Sequence, residues 1–420
     1  MMRIIRYICS LYFMMAGFAL HGQIMGLQLL KGEPKKELNI EYVQNFILVD
    51  VKFNNTLPLR FILDTGAEHT ILFRKEISDI LGMKYEKKIS LIGSDLDKEV
   101  YAYISRNVPL KIENTTTIER DIIVLEEDFL HLEELTGEAI HGIIGSRILR
   151  GLVLELDYKK SKIILHDGAQ FSPPDCDNCI TQDIQIRKHK PYIKSKLITD
   201  VSDTIDVNLL VDTGAALPFL LFLKTHPSLQ IPEFYVKGNL GRGLGGDLEG
   251  YLSKVRQLQL TNEFAFDNII TSFQDIDENL DPAVYLNRNG LIGNPILSRF
   301  HVWIDFVKSR ITLKAQKNFK KEFKYDMSGM VIYAFGPELN NYYVKDVIRH
   351  SPAYKAGIRE GDMIKRIGLW PANFYSLSNI IKKMKSRKGR KIKLTMERNG
   401  VKFKTSFRLE DFLSQRDVNN

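Results

Sequence analysis

Cysteine is scarce. The 420-residue chain has three, and Cys9 falls inside an apolar N-terminal stretch, so a disulfide scaffold is excluded. Cys176 and Cys179 form a C-x-x-C without the second ligand pair of a zinc ribbon. Their setting, Ser172-Pro173-Pro174-Asp175-Cys176-Asp177-Asn178-Cys179, reads as linker rather than the start of a helix. A local disulfide or two idle thiols suit it better than a redox motif. Beyond the N-terminus no run of 18 uninterrupted apolar residues occurs, which removes a later membrane-spanning helix. His69, His141 and His301 lack zinc-ligand spacing and read as surface or strand-end histidines. No Gly-Lys-Ser/Thr closes the glycine-rich stretch, so a phosphate loop is set aside, and neither metal nor cofactor is called for.

What is present suits a folded chain of two to four domains, with 44% hydrophobic and 26% charged residues. Arg3 and Arg6 precede the uncharged stretch Tyr7 to Leu20, and small residues follow, so residues 1–22 read as a signal peptide cleaved around Gly22–Gln23. An uncleaved anchor is the alternative. The expected location is periplasmic or extracellular. Charge is unevenly shared: Lys314 to Asn420 carries a net +14, whereas residues 23–313 carry −8. The run from Lys382 to Lys391 reads as a solvated helix end and loop. Contact with an anionic surface is left open, and nucleic acid is not an expected partner.

An internal repeat organises the body. Phe61-Ile62-Leu63-Asp64-Thr65-Gly66-Ala67 returns as Leu209-Leu210-Val211-Asp212-Thr213-Gly214-Ala215, an offset of 148. The same offset carries Gly142-Ile143-Ile144-Gly145 onto Gly290-Leu291-Ile292-Gly293, Ile148-Leu149 onto Ile296-Leu297, Leu156-Asp157-Tyr158 onto Ile304-Asp305-Phe306, and Tyr103-Ile104-Ser105 onto Tyr251-Leu252-Ser253. One four-residue string recurs by chance about once in 10⁵ positions, so five blocks in one register mean duplication. Strands are expected from Asn45 to Phe53, Leu59 to Leu63, Val153 to Leu156 and Lys162 to Leu165. Their counterparts run from Tyr192 to Thr199, Val207 to Val211, Val302 to Phe306 and Arg310 to Leu313. The class is mainly β, in two lobes at 38–166 and 181–315 joined by a linker at 167–180.

An apolar strand ending in Asp-Thr-Gly places a carboxylate where glycine permits close backbone approach. One copy could be a structural turn. Two copies on lobes related by a pseudo-twofold axis would bring Asp64 and Asp212 face to face. Adjacent carboxylates cannot both ionise cheaply, so they share a proton, one serving as base and the other as acid for an activated water. Thr65 and Thr213 are the residues to lock the loops by hydroxyl hydrogen bonds, and Gly66 and Gly214 to offer backbone groups to an extended peptide.

These Asp-Thr-Gly-Ala blocks, each followed after 78 residues by an apolar-apolar-Gly block, resemble aspartic peptidases. Ala67, Ala215 and Gly-Leu-Ile-Gly-Asn-Pro-Ile-Leu make the likeness closer to the retroviral type than to pepsin. It covers roughly residues 40–315 and implies a two-lobed acid-protease β-barrel fold with both lobes in one chain. It also implies glycine-rich flaps over a polypeptide substrate. Gly241, Gly243, Gly245 and Gly246 supply one flap, whereas its counterpart, Leu91 to Lys98, keeps only Gly93.

Residues 325–412 resemble a bacterial PDZ domain, an α+β unit, through Tyr343 to Ile348, Ser351-Pro352-Ala353, Ala356-Gly357-Ile358 and Gly361-Asp362-Met363-Ile364. A helix from Ser376 to Met384 and strands from Ile392 to Arg398 and Val401 to Leu409 complete it. The resemblance implies capture of a peptide C-terminus, for which Ser328-Gly329-Met330-Val331 could form the carboxylate loop. The expectation is an exported aspartic endopeptidase with PDZ recruitment. The rival is a protein that binds peptides without cutting them.

Overall fold

The computed structural model describes residues 27, 29–30, 32–92, 99–112, 115, 117–199, 203–243, 246–276 and 288–414. The expected signal peptide, Gly93 and Gly245 lie outside them. The architecture is mainly β and acid-protease-like.

Strand formation follows from apolar residues placed on both faces near the motifs. In Phe46–Phe53 the first four residues are all buried, and burial then alternates. Ile47, Val49, Val51 and Phe53 face the main core, while Phe46 and Leu48 face a second apolar cluster on the other side. The strand is thus covered on both faces at one end and on one face at the other.

Each half builds an eight-stranded sheet, and the two sheets have the same strand order. In the first, Leu57–Asp64 lies between Phe46–Phe53 and Gly142–Gly145, pairing in parallel with the latter so that Leu63 meets Ile144 and Asp64 meets Gly145. In the second, Thr204–Val211 lies between Lys190–Ile198 and Gly290–Ile292, with Val211 level with Ile292. Each glycine-flanked strand then enters a helical turn, Ser146–Leu149 or Asn294–Leu297.

A six-stranded sheet joins the halves through the antiparallel pair Leu152–Asp157 and Phe300–Asp305. Leu154 pairs with Ile304 and Leu156 with Val302. Because 154 and 302, and 156 and 304, are equivalent in the repeat, this pairing has the symmetry of a twofold axis. The main core runs continuously through both halves.

Two expected boundaries shift. Cys176 and Cys179 form a disulfide with a Cα separation of 5.6 Å, but Cys179 already opens a strand, Cys179–Asp183, paired with Arg310–Ala315. The linker therefore stops short of residue 180. The basic stretch after residue 315 is not a free connector either: Phe319 packs at a tilt among Phe264, Phe266 and Phe300, and Phe323 lies 5.6 Å from Phe266. These rings extend the second half to Phe323.

The C-terminal residues fold around their own core. The strands run in the order Met330–Phe335, Asn341–Val347, Met363–Ile367, Lys391–Arg398 and Val401–Arg408. The helix Leu377–Met384 starts where the Ser376 hydroxyl accepts the Asn379 N–H. This unit touches both halves. On one side the short helix Leu132–Thr136 packs on Met330–Phe335, Tyr343 donates to Glu134 at 3.2 Å, and Gly137 abuts Leu377 and Ala334. On the other, Phe412 and Leu413 share an apolar cluster with Val236 and Ile270, and Lys254 pairs with Asp411 at 3.1 Å.

Candidate active site

Both motifs leave the ends of their central strands at the seam between the halves. Asp64 ends Leu57–Asp64, and the Asp212 N–H donates to the Ile292 carbonyl immediately after Thr204–Val211. The threonines turn inward and are fully buried. The Thr65 hydroxyl donates to the Val211 carbonyl at 2.6 Å and accepts the Thr213 N–H at 3.0 Å. The Thr213 hydroxyl returns the arrangement, donating to the Leu63 carbonyl at 2.7 Å and accepting the Thr65 N–H at 3.0 Å. Four hydrogen bonds thus lock one loop to the other.

The glycines permit this approach. A Cβ on Gly66 would stand 2.5 Å from the Asp212 carboxyl carbon, and one on Gly214 would collide with the Asp64 carboxyl. Gly66 and Ala67 instead donate their N–H groups to Asp64 Oδ1 at 2.7 and 3.0 Å, and Gly214 donates to Asp212 Oδ1 at 2.8 Å. Ala215 ends its turn with an N–H to the Asp212 carbonyl.

The two carboxyls hydrogen-bond to each other. Burial pushes Asp64 well above the usual carboxylate range, and the charge of Asp212 and their shared hydrogen bond push it further against the Gly66 and Ala67 N–H groups. Burial also raises Asp212, but the hydrogen bond from Asp64, the Gly214 N–H and the positive charges of Arg288 and Lys190 pull it back. The two carboxyls therefore share one proton, and the cations favour the charge on the Asp212 side.

A polar brace behind the loops was not evident from the repeat. Asn294 donates to the Thr213 carbonyl at 2.5 Å and the Asn45 carbonyl at 2.7 Å, and accepts from Tyr158 at 2.6 Å. Asn45 in turn donates to the Ala216 carbonyl at 2.9 Å. In the first half Ser146 takes the place of Asn294 and donates to the Ala67 carbonyl. The Ser146/Asn294 difference in the otherwise matching blocks was the available signal. Lys190 and Arg288 were also missed, because a scan for matching residues passes over positions where the copies differ.

The second glycine-rich segment forms a hairpin of Val236–Gly243 and Gly246–Gln259, with Gly241 opposite Leu248, Gly243 opposite Gly246 and an irregular register between Asn239 and Gly241. The first hairpin pairs Lys87–Ile92 with Glu99–Ile112.

The segment expected to cradle a peptide carboxylate is already engaged. Ser328 and Gly329 donate their N–H groups to Asp326 Oδ1 at 2.8 and 2.9 Å, Met330 N–H goes to Ser328 Oγ, and Val331 lies in the sheet. Burial raises Asp326 above its ordinary value, and burial lowers Lys385, whose ammonium faces it. Lys385 is therefore not a solvated member of the basic run. His301 also has a specific partner: with His166 it donates to Glu155, at 2.7 and 2.6 Å. His141 accepts the Arg60 N–H, and His69 lies 3.8 Å from Glu68.

Residues 49–148 match the family described as aspartyl protease, a segment that contains Asp64-Thr65-Gly66-Ala67 and Gly142–Gly145. No curated protein matches the chain. Among solved structures, basic 7S globulin from soybean aligns with a TM-score of 0.38 and 8% identity, over 67% of this chain and 95% of that one.

Proposed function

We propose that this aspartyl-protease-like chain is an active endopeptidase that hydrolyses polypeptides through a water held between Asp64 and Asp212. The observation that carries the reading is the carboxyl pair itself, hydrogen-bonded across the seam and fixed by reciprocal threonine bonds. Ionised Asp212 takes a proton from the water as its oxygen attacks the peptide carbonyl. Protonated Asp64 transfers its proton to the carbonyl oxygen, giving a neutral tetrahedral diol. Asp212 then passes its proton to the amide nitrogen while a diol hydroxyl returns one to Asp64, and cleavage of the C–N bond releases an acid and an amine with the pair again holding one proton. Gly241, Gly243 and Gly246 belong to the hairpin proposed to close over the substrate.

Residues 1–22 are proposed to direct export, which N-terminal sequencing of the secreted chain tests by a start near Gln23. The C-terminal unit is proposed to be a PDZ-like fold that steadies the second hairpin. Its contacts with Val236 and Lys254 support this role, and the occupied Ser328 and Gly329 donors argue against capture of peptide ends.

The test is digestion of an unfolded protein, with cleavage products read by mass spectrometry. Wild type should cut, and Asp64→Asn and Asp212→Asn should each lose about three or more orders of magnitude in kcat/KM, non-additively. Full binding of peptides without cleavage by the wild type would support the binding-protein reading instead.

A further inference from the structure

The two halves differ most sharply beside the catalytic pair. In the first half, Phe46, Leu48, Phe73, Ile140 and Ile143 belong to one buried apolar cluster, against which Ala67 and Ala216 of the two motif loops pack. The second half can be aligned to it by register. Leu48 pairs with Ile62, and Tyr192 pairs with Leu210, which is the repeat equivalent of Ile62. Tyr192 therefore replaces Leu48, and Lys190, two residues earlier, replaces Phe46. By the offset of 148, Arg288 replaces Ile140 while Leu291 replaces Ile143. At two positions of this apolar cluster the second half has become cationic.

The same register brings Lys190 level with Asp212, and the Arg288 guanidinium lies 4.9 Å over the Phe222 ring. Both charges act on Asp212. Among the described residues neither cation forms an ion pair with a carboxylate. The anions that reach Lys190 are Asp212, Asp64 and, most weakly, Glu68, and Arg288 repels it. Half-buried like charges are costly unless an anion compensates them. The catalytic pair, sharing one proton, supplies a single negative charge to both cations, and Glu68 adds only a weaker attraction on Lys190. One further carboxylate would balance the site.

We infer that the enzyme selects substrates with an acidic side chain, Asp or Glu, on one side of the scissile bond, bound by Lys190 and Arg288 beside Tyr192. The inference rests on the peptidase reading above. The equivalent position across the bond meets the first half, where Phe46 and Ile140 offer no charge. Specificity is thus asymmetric in an otherwise symmetric fold.

The experiment begins with the full exported chain and a fluorogenic peptide library randomised on both sides of the cleaved bond. Enrichment of Asp and Glu is expected at one position and not at its mirror position. Matched peptides with Glu or Gln there should differ by about tenfold to a hundredfold in kcat/KM, mainly through KM. Lys190→Met and Arg288→Met should collapse that Glu/Gln ratio, Arg288→Lys should restore part of it, and Arg288→Glu should favour a Lys peptide. Thermal melts of each variant check folding, and the ratio within one variant cancels any general loss of rate. Equal cleavage of Glu and Gln peptides by wild type, or a ratio unchanged in both Met variants, overturns the inference and leaves the peptidase reading standing. Absence of cleavage of any peptide or unfolded protein overturns both.

Discussion

Thr65 and Thr213 hold each other's loops reciprocally: each hydroxyl donates to a carbonyl on the opposite half and accepts the other threonine's N–H. Both residues are fully buried, so a lost hydroxyl cannot be replaced by water. Thr65→Val should leave the Val211 carbonyl and Thr213 N–H unpaired and lower stability by about 2–4 kcal/mol, measured by urea denaturation. Thr65→Ser keeps the hydroxyl and should cost about 1 kcal/mol.

Asp64→Asn should abolish turnover and yet stabilise the fold as pH rises. Burial and the neighbouring Asp212 raise Asp64 well above its ordinary 3.8. The folded wild type therefore binds that proton more tightly than the unfolded chain does. Its contribution is fully favourable below the ordinary value and is lost as pH climbs from there through the raised folded value. The melting-temperature difference between Asp64→Asn and wild type should grow in that direction; a constant difference from pH 3 to 8 would contradict it.

The cations beside the pair set its acid limb. Arg288 and Lys190 favour ionised Asp212, so removing either charge should raise the pH at which Asp212 becomes a base. The acid limb of kcat/KM on a neutral peptide should move to higher pH in Lys190→Met and Arg288→Met, read from pH-rate profiles beside wild type.

Glu155 anchors the shared six-stranded sheet. Burial alone would raise it, but hydrogen bonds from His166 and His301 and their charges outweigh burial and bring it from 4.5 to about 2. A depressed carboxylate contributes stability above its unfolded value and loses it as pH falls through the folded one. Glu155→Gln should thus cost up to about 3 kcal/mol near pH 5, and the gap to wild type should close between about pH 4.5 and 2.

Phe412 tests the link from the C-terminal unit to the second hairpin. It packs with Val236 and Ile270 and sits edge-on to Tyr325 at 5.7 Å. Phe412→Ala should cost about 2–4 kcal/mol and raise KM for a short peptide, because the base of the hairpin loses its support. An unchanged KM on a destabilised but folded variant would show that the unit does not steady the hairpin.

Much of the site was legible because duplication writes it twice. Asp64, Thr65 and Gly66 stand out through their copies, and apolar residues flanking both motifs announced the central strands. What remained hidden lies where the copies diverge or where contacts are long-range. Asn294 gains its role from Asn45 and Tyr158, distant in sequence, and Lys190 from a strand register that a pattern of residue types does not specify. The lobe end at residue 315 fell short because nothing in the lysine-rich stretch that follows marks Phe319 and Phe323 as completing an aromatic core. The bonds of the Ser328 loop were hidden for a similar reason: nothing local shows that Asp326 turns back to take its donors.

The pairing of Leu152–Asp157 with Phe300–Asp305 also sets a schedule for synthesis. A strand in the middle of the shared sheet has one neighbour at once, in Lys162–Asp167, and must wait for the other until residue 305 has emerged. Asp64 likewise precedes Asp212 by 148 residues, about 7–30 s at translation rates of roughly 5–20 residues per second. During that interval the nascent chain holds one carboxylate of the pair, carried on the first half's own sheet but without its partner. In the proposed mechanism a growing chain therefore lacks the second carboxylate, and the pair is complete only when the second half closes the symmetric pairing.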